Sequence, residues 1–281
     1  MGERIISIED YCPALSNELT VVLLGSTGSG VSATGNTILK SSAFASKRSL
    51  SSVTRTSEME QSVVDGRVVK AIDTPGLINF SLGADFVINE IVNCIKLAKD
   101  GIHAIVVVLS LNSPFRKEEA TAIQSLKILF GANITNYVII VFTHEDELDD
   151  DETLDDILAG ECNQPLKVVL GSYENRILAF DNKTKDKEKR DYQVKQFYSL
   201  VDKVLAENDG KSYKNELFIK LHEQTDKAYQ DRVKEIKKEV TLKLGKTISM
   251  LKQQMAEAQP KQEDVRETRA LCKKLNECRV L

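Results

Sequence analysis

The sequence lacks any long apolar run. No stretch approaches the roughly 18 to 20 consecutive apolar residues that a membrane-spanning helix needs, and the opening MGERIISIED lacks the apolar core of a signal peptide. We therefore expect a protein that is made and kept in the cytosol. The myristoylation pattern is also missing, because Ile6 stands where that motif requires serine or threonine.

The sequence also lacks an excess of charge of one sign, and it lacks paired cysteines. The 38 basic residues nearly balance the 42 acidic ones, giving a net charge of -4. No basic stripe is interleaved with aromatic residues, so we expect no nucleic-acid partner. The five cysteines form no CxxC pair, which favours free thiols in a reducing compartment over disulfides or a zinc site.

Short apolar runs alternate with helical patterns over about the first 205 residues. Runs that are apolar on both faces, as in buried strands of a parallel sheet, occur at 19–24, 68–72, 102–109, 137–142 and 177–180. Helical patterns lie between them at 32–40, 84–99, 117–130 and 189–205. Residues 56–64 alternate, and Asp65-Gly66 predicts a hairpin that joins them to 67–72. This order predicts an α/β domain with a mostly parallel central sheet.

Beyond about residue 205 the sequence becomes charged and helix-periodic. We divide the chain into an N-terminal tail at 1–16, a main domain at 17–207 and a helical extension at 208–281. An amphipathic helix is predicted by the spacing of Phe218, Leu221, Val233, Ile236, Val240, Leu244, Ile248, Leu251 and Met255. This helix could fold back on the main domain, self-associate as a coiled coil, or lie on a membrane surface.

A glycine-rich segment, Gly25-Ser-Thr-Gly-Ser-Gly-Val-Ser32, lies between a predicted strand and a predicted helix. Its three glycines allow the backbone to wrap closely, so that successive N–H groups and the helix N-terminus can hold phosphate oxygens. Ser32 stands where a hydroxyl would coordinate Mg²⁺. The segment therefore predicts a phosphate-binding P-loop.

The loop departs from the G-x-x-x-x-G-K-[ST] pattern at Val31, where a lysine would reach the β and γ phosphates. Loss of one charge-assisted hydrogen bond costs roughly 1.5 to 3 kcal/mol, so we expect weakened nucleotide binding rather than none. Hydrolysis should suffer more, because the lysine also stabilises the transferring phosphoryl group. Lys47, Arg48 and Arg55 are candidates for a substitute charge.

A second motif, Asp73-Thr-Pro-Gly76, ends the run at 68–72. A carboxylate at this point can hold the Mg²⁺ shell, and Gly76 can offer its N–H to a γ phosphate. Thr54 is the best candidate for a further Mg²⁺ ligand from the polar stretch between the two motifs. Leu77 stands where many GTPases have a glutamine that orients the attacking water, so intrinsic turnover should be slow.

Two further segments predict base recognition. Thr143-His144-Glu145-Asp146 has the frame of T-K-x-D, in which the aspartate accepts hydrogen bonds from N1–H and the 2-amino group of guanine. Adenine offers no such pair of donors, so Asp146 should select guanine. His144 could stack on the base or cap the loop, and Asn182, after the last strand, could reach the base edge.

Together, the segments GSTGSGVSATGNTIL, DTPGL, DGIHAIVVVLSLNSPFRKEE, VFTHEDEL and ENRILAFDNKTKD resemble the plant immune-associated nucleotide-binding proteins, relatives of the GIMAP GTPases. The resemblance covers about residues 19–205. It implies a Ras-like P-loop G domain, GTP-dependent dimers or oligomers with family members, low hydrolysis and a role in immune or stress responses. It also implies a cytoplasmic protein that associates peripherally with the endoplasmic reticulum or plasma membrane.

The motifs and the resemblance assign residues to nucleotide and metal. Nucleotide contacts are expected from Gly25, Ser26, Thr27, Gly28, Ser29, Gly30, Val31, Ser32, Ala33, Ser46, Asp73, Gly76, His144, Glu145, Asp146 and Asn182. Ser46 is assigned through the resemblance alone, as the serine of F-x-S. The expected Mg²⁺ ligands are Ser32, Thr54 and Asp73, and no residue is assigned a catalytic role.

Three functions fit these residues. The first is a switch that binds GTP and GDP with Mg²⁺ and hydrolyses GTP slowly. The second is a pseudo-GTPase scaffold that has lost turnover, and the third is an ATP-using enzyme, which Asp146 disfavours. The terminal Cys278-Arg-Val-Leu281 also fits a prenylation signal, although one prenyl chain normally needs a second membrane signal.

Overall fold

The computed structural model describes residues 17–46, 54–77, 84–113, 115, 117–149, 152–159, 164–171, 173, 176–216, 218–219, 234–235, 237–242, 245 and 249. Its sheet has six strands: β1 (Glu18–Gly25), β2 (Glu58–Val64), β3 (Arg67–Asp73), β4 (Ala104–Ser110), β5 (Val138–Thr143) and β6 (Ile177–Phe180). Their order is β2-β3-β1-β4-β5-β6. The β2–β3 pair is antiparallel and the other pairs are parallel. The mostly parallel sheet predicted from the sequence is confirmed.

Among the described residues up to 207, six helices accompany the sheet: α1 (Val31–Ile38), α2 (Ala84–Leu97), α3 (Lys117–Phe130), α4 (Leu154–Ala159), α5 (Gln164–Leu170) and α6 (Lys187–Glu207). Four of them match the predicted helices. Helices α4 and α5 were not predicted, because six and seven residues are too few for a clear helical period. Two 3-10 helices, Ala132–Tyr137 and Glu145–Glu147, were also not predicted.

The hairpin between β2 and β3 is confirmed in its detailed geometry. Asp65 and Gly66 both have positive φ angles, 49° and 84°, as a two-residue type I′ turn requires. Val64 pairs with Arg67 across the turn. Most of β2 is exposed, because it is the edge strand, whereas every residue of β5 is buried. Burial on both faces explains why the central strands read as continuous apolar runs.

The parallel strands bring the sequence motifs to one edge of the sheet. The phosphate loop follows β1, Asp73 ends β3, Thr143 ends β5, and Asn182 follows β6. In open α/β sheets, ligands bind in the crevice outside the carboxyl ends of the strands. We refer to this side of the molecule as the carboxyl edge.

The helical extension begins at the opposite end of the sheet. Tyr213 forms an antiparallel bridge with Ile102, with N–H···O distances of 3.0 and 2.7 Å, and its hydroxyl donates to the carbonyl of Phe130. Residues 237–242 are helical. Phe218 and Val240 are buried and belong to the hydrophobic core, which favours the folded-back alternative. Self-association of this helix stays a prediction.

Two observations bear on membrane association. Within the described part of the chain, no helix combines the length and apolar character needed to span a bilayer. Cys278 lies outside the described residues, so its prenylation stays a prediction.

Candidate functional site

The glycine-rich loop adopts a tightly wrapped conformation at the carboxyl edge. Gly28 and Gly30 have positive φ angles of 88° and 91°, which glycine adopts without strain. The Ser29 N–H donates to the carbonyl of Ser26 at 3.0 Å, and α1 begins directly after Gly30. A Cβ on Gly25 would lie only 2.9 Å from the carbonyl oxygen of Val108. The structure therefore gives the loop the wrapped backbone that phosphate binding requires.

Two side chains outside the loop hold it in place. The Thr143 hydroxyl donates to the Ser29 carbonyl at 2.8 Å, which joins the end of β5 to the loop. The Ser26 hydroxyl donates to Glu119 of α3 at 2.8 Å. Neither Thr143 nor Glu119 was among the predicted site residues. For Glu119 no local signal exists, because only the fold brings α3 next to the loop.

Val31 occupies the first position of α1, where a P-loop lysine would stand. It is 8% exposed and belongs to the hydrophobic core. Its Cγ2 would lie 2.6 Å from a Cβ on Gly25, so its methyl group packs against the start of the loop. Arg55 is exposed, and Lys47 and Arg48 lie outside the described residues. A substitute charge for the missing lysine stays a prediction.

The three expected Mg²⁺ ligands converge from different parts of the chain. The Ser32 hydroxyl donates to Asp73 Oδ2 at 2.6 Å, the Thr54 hydroxyl donates to the same oxygen at 3.1 Å, and the two hydroxyls lie 3.3 Å apart. Asp73 is only 2% exposed. Burial raises the pKa of its carboxyl, although the two hydroxyl hydrogen bonds act in the opposite direction.

This cluster fits a hard divalent cation. Asp73 Oδ1 is buried and has no hydrogen-bond partner, which leaves a carboxylate oxygen available beside two hydroxyls. Mg²⁺ is usually bound by one or two carboxylates together with waters and phosphate oxygens. Among the described residues, no group of three or more His, Cys, Asp and Glu could hold a metal. The geometry therefore suits Mg²⁺ bound jointly with a phosphate; the assignment itself stays a prediction.

The segment after β3 lies directly against the phosphate loop. A Cβ on Gly76, whose φ is 33°, would lie 2.6 Å from Thr27 Oγ1. The Thr74 hydroxyl donates to the Leu23 carbonyl at 2.7 Å. Leu77 is buried in the core and offers no polar group to an attacking water. The positive φ angle and the close approach of Thr27 both favour glycine at position 76, and slow hydrolysis remains the expectation.

His144 directly follows β5 at the carboxyl edge and is held by its neighbours. It has a positive φ of 68°, and its Nδ1 lies 3.1 Å from Ser110 Oγ and 3.0 Å from Thr143 Oγ1. These contacts show His144 as part of the loop's own support. Stacking of the half-buried ring on a base stays a prediction.

Asp146 is paired with Lys183, a residue that the sequence reading did not single out. Lys183 Nζ lies 2.6 Å from Asp146 Oδ2 and 3.3 Å from Glu147 Oε1. Burial acts to raise the pKa of Asp146, but the hydrogen bond and charge of Lys183 outweigh it and lower the pKa. Asp146 is therefore ionised at neutral pH, as guanine recognition requires.

The amide of Asn182 is engaged by α1. Its Oδ1 accepts from Thr37 at 2.7 Å, and its Nδ2 donates to Thr34 at 3.1 Å. Asn182 thus ties the loop after β6 to α1, and a contact with the base stays a prediction. Glu145 pairs with Lys189 at 3.1 Å, and Ser46 is exposed, so their nucleotide contacts also stay predictions.

The fold and the wrapped loop define a P-loop domain of the Ras-like G class. The sequence model of the AIG1 family matches residues 19–233. The chain belongs to the AIG1 family.

Curated relatives in Arabidopsis thaliana support this assignment. Immune-associated nucleotide-binding protein 9 is 43% identical over 246 residues, covering 87% of this chain and 70% of the relative. Protein 3 is 40% identical over 208 residues, covering 73% of this chain and 62% of the relative. For protein 10 the identity is 39%, with 86% of this chain and 54% of the relative covered. The chain thus spans only part of the length of these relatives.

Solved structures of a plant GTPase share the fold. Toc33 from Arabidopsis thaliana, in complex with GDP and Mg²⁺, superposes with a TM-score of 0.54 at 18% identity, covering 69% of this chain and 86% of Toc33. A dimerisation-deficient mutant of Toc33 gives a TM-score of 0.53 at 20% identity, with the same coverage. At this level of identity the likeness concerns the fold alone.

Proposed function

We propose that this protein is a guanine-nucleotide-binding switch that binds GTP and GDP with Mg²⁺. The observation that carries the proposal is the convergence of the wrapped loop, the Ser32–Thr54–Asp73 cluster and Asp146 at one edge of the sheet. Relatives that are named as nucleotide-binding proteins and a similarly folded protein with bound GDP and Mg²⁺ support it.

Each part of the site has a defined task in this proposal. Backbone N–H groups of the loop and the start of α1 hold the phosphates. Ser32, Thr54 and Asp73 hold Mg²⁺, which neutralises phosphate charge. Asp146 selects guanine by accepting from N1–H and the 2-amino group. Because Val31 supplies no charge and Leu77 no polar group, any GTP hydrolysis by the chain alone should be slow.

We further propose that the nucleotide state controls association with this protein's own family. The existence of a dimerisation-deficient Toc33 mutant and the names of the immune-associated relatives support a self-associating protein of immune or stress responses. Cytoplasmic location with peripheral membrane association belongs to the same proposal. A non-hydrolysing scaffold is the second candidate, favoured by the burial of Val31 in the core.

Calorimetric titration of the full chain with GTP, GDP and ATP, each with Mg²⁺ and with EDTA, tests nucleotide binding. We expect heat with both guanine nucleotides, tighter binding with Mg²⁺, and little or no binding of ATP. Absence of heat with either guanine nucleotide up to millimolar concentration contradicts the switch, and equal affinity for ATP contradicts base selection by Asp146. GTP binding without detectable phosphate release would identify the scaffold.

Val31→Lys tests the effect of the missing charge. A new lysine–phosphate contact is worth roughly 1.5 to 3 kcal/mol, and the lower end of this range corresponds to about tenfold in affinity. We therefore expect GTP affinity to tighten about tenfold, with faster phosphate release.

Val31→Met is the matched control for Val31→Lys, because it adds length without charge and should not tighten binding. Affinity that is unchanged in Val31→Lys would indicate that another cation already occupies the phosphate site.

A further inference from the structure

A buried carboxylate on α2 binds residues that closely follow Thr54 in the chain, and it has no task in the proposed nucleotide chemistry. Glu90 is 7% exposed. Its Oε2 accepts from the backbone N–H of Ser57 at 2.6 Å and from the Ser57 hydroxyl at 2.7 Å. Its Oε1 accepts from the Thr56 hydroxyl at 3.2 Å. One side chain of α2 therefore holds two consecutive residues of another segment.

The next turn of α2 completes this attachment. Asn93 Nδ2 donates to the Ser57 carbonyl at 3.1 Å, and the Cys94 thiol donates to the Ser57 hydroxyl at 3.3 Å. Burial raises the pKa of Cys94 to about 12, so Cys94 keeps the proton that it donates. Residues three and four apart share one face of a helix, so Glu90, Asn93 and Cys94 act together. Both backbone polar groups of Ser57 are bound by α2 side chains.

The attached residues lie next to the Mg²⁺ cluster in the chain. Thr54, whose hydroxyl donates to Asp73, is only two residues before Thr56. Fixing Thr56 and Ser57 therefore restricts where Thr54 can lie. The helix that fixes them follows the Asp73–Gly76 segment, which contacts the phosphate loop through Gly76. The Glu90 attachment thus joins the segment that carries Thr54 to α2, the helix that follows Gly76 in the chain.

Burial of a carboxylate does not by itself increase the stability of a fold. Desolvation of the charge costs several kcal/mol, and well-packed apolar residues often serve a core better. A buried carboxylate that binds three donors of one short segment instead fixes that segment in a single position. This specificity is what a Mg²⁺ ligand on a loop requires.

We propose that Glu90 is a positioning residue that holds Thr54 where it can coordinate Mg²⁺, and so couples Mg²⁺ binding to the position of α2. The inference rests on the proposed nucleotide function. It predicts that a change at Glu90 specifically reduces the gain in nucleotide affinity that Mg²⁺ produces. By reciprocity, bound Mg²⁺ and nucleotide should stabilise the contact of α2 with residues 56–57.

The test compares nucleotide dissociation constants in EDTA and in Mg²⁺ for the full chain. In Glu90→Ala, the ratio of the two constants should fall about tenfold, the lower end of the effect seen when groups that orient metal ligands are removed. The constant measured in EDTA should change far less. Glu90→Gln keeps an acceptor oxygen for the Ser57 N–H and should restore much of the ratio.

His103→Ala is the matched control for lost stability. His103 is also buried and accepts a backbone hydrogen bond, from Thr20 at 3.0 Å, but it lies at the other end of the sheet. The His103→Ala variant should have a lower melting temperature, and its ratio of dissociation constants in EDTA and in Mg²⁺ should be unchanged. If Glu90→Ala does not fold, Thr56→Val removes one arm of the attachment and should still lower the ratio.

The outcomes separate this inference from the proposed function. A wild-type protein that binds no guanine nucleotide contradicts both. If Mg²⁺ tightens nucleotide binding in wild type and does so equally in folded Glu90→Ala, the positioning role alone is contradicted. An equal loss of the ratio in His103→Ala also overturns the role, because the defect would then follow from general destabilisation.

Discussion

Asp146→Asn should change the base preference of the proposed nucleotide site from guanine to xanthine. The carboxylate can accept from both N1–H and the 2-amino group of guanine. An asparagine amide offers one acceptor and one donor, which match the N1–H and the 2-carbonyl of xanthine but oppose the amino group of guanine.

The loss of guanine affinity should be large. One charge-assisted hydrogen bond is lost and one donor faces another donor, which together cost about 3 to 4 kcal/mol, or roughly 100- to 1,000-fold in affinity. Lys183 already contacts Oδ2 of Asp146, but each carboxylate oxygen has a second lone pair for the base. The salt bridge is partly exposed, so its loss should have little effect on folding.

Competition of GTP, GDP, XTP and XDP for the site measures this change. Asp149→Asn is the matched control, since it removes an exposed carboxylate from the same acidic stretch and should leave base preference unchanged. Guanine affinity that is equal in wild type and Asp146→Asn would remove Asp146 from base recognition and leave the base site unassigned.

Much of the domain could be predicted because its sheet is buried on both faces. The runs around Val21, Val107 and Ile140 are continuous and apolar, and each became a central strand. The Asp65-Gly66 hairpin was predicted because its turn demands two positive φ angles. The short helices α4 and α5 could not be predicted, because a helix of one to two turns leaves hardly any period in the sequence.

The candidate site was predictable where it depends on backbone order, and not where it depends on lateral packing. Ser32 and Asp73 could be paired in advance because β1 and β3 are parallel: Asp73 ends β3, and the loop that leads to Ser32 begins at the end of β1. Glu119, Lys183 and Glu90 reach the site from helices and loops whose packing angles are set by the whole core. No local pattern marks such residues, since lone acidic or basic residues on helices are usually solvated.

Asp73→Asn should separate Mg²⁺ binding from the stability of the fold. The carboxylate is the common acceptor for Ser32 and Thr54, so its loss should weaken the Mg²⁺-dependent tightening of nucleotide about 100-fold, the upper end for groups that orient metal ligands. Without Mg²⁺, the variant should unfold near the wild-type temperature. Removing a buried negative charge relieves its desolvation cost, whereas the new amide buries an additional donor, and these effects have opposite signs.

Dissociation constants in EDTA and in Mg²⁺, together with melting temperatures under both conditions, test this separation. Asp202→Asn is a suitable control, because Asp202 is a partly buried carboxylate that likewise has bound donors, here from Arg67, but it lies on α6 and belongs to no predicted ligand set. For Asp202→Asn, the ratio of nucleotide dissociation constants in EDTA and in Mg²⁺ should equal that of wild type. If Asp73 holds Mg²⁺, adding Mg²⁺ to protein already saturated with GDP should raise the melting temperature of wild type further and hardly change that of Asp73→Asn. An equal rise in both proteins would show that Mg²⁺ is held elsewhere.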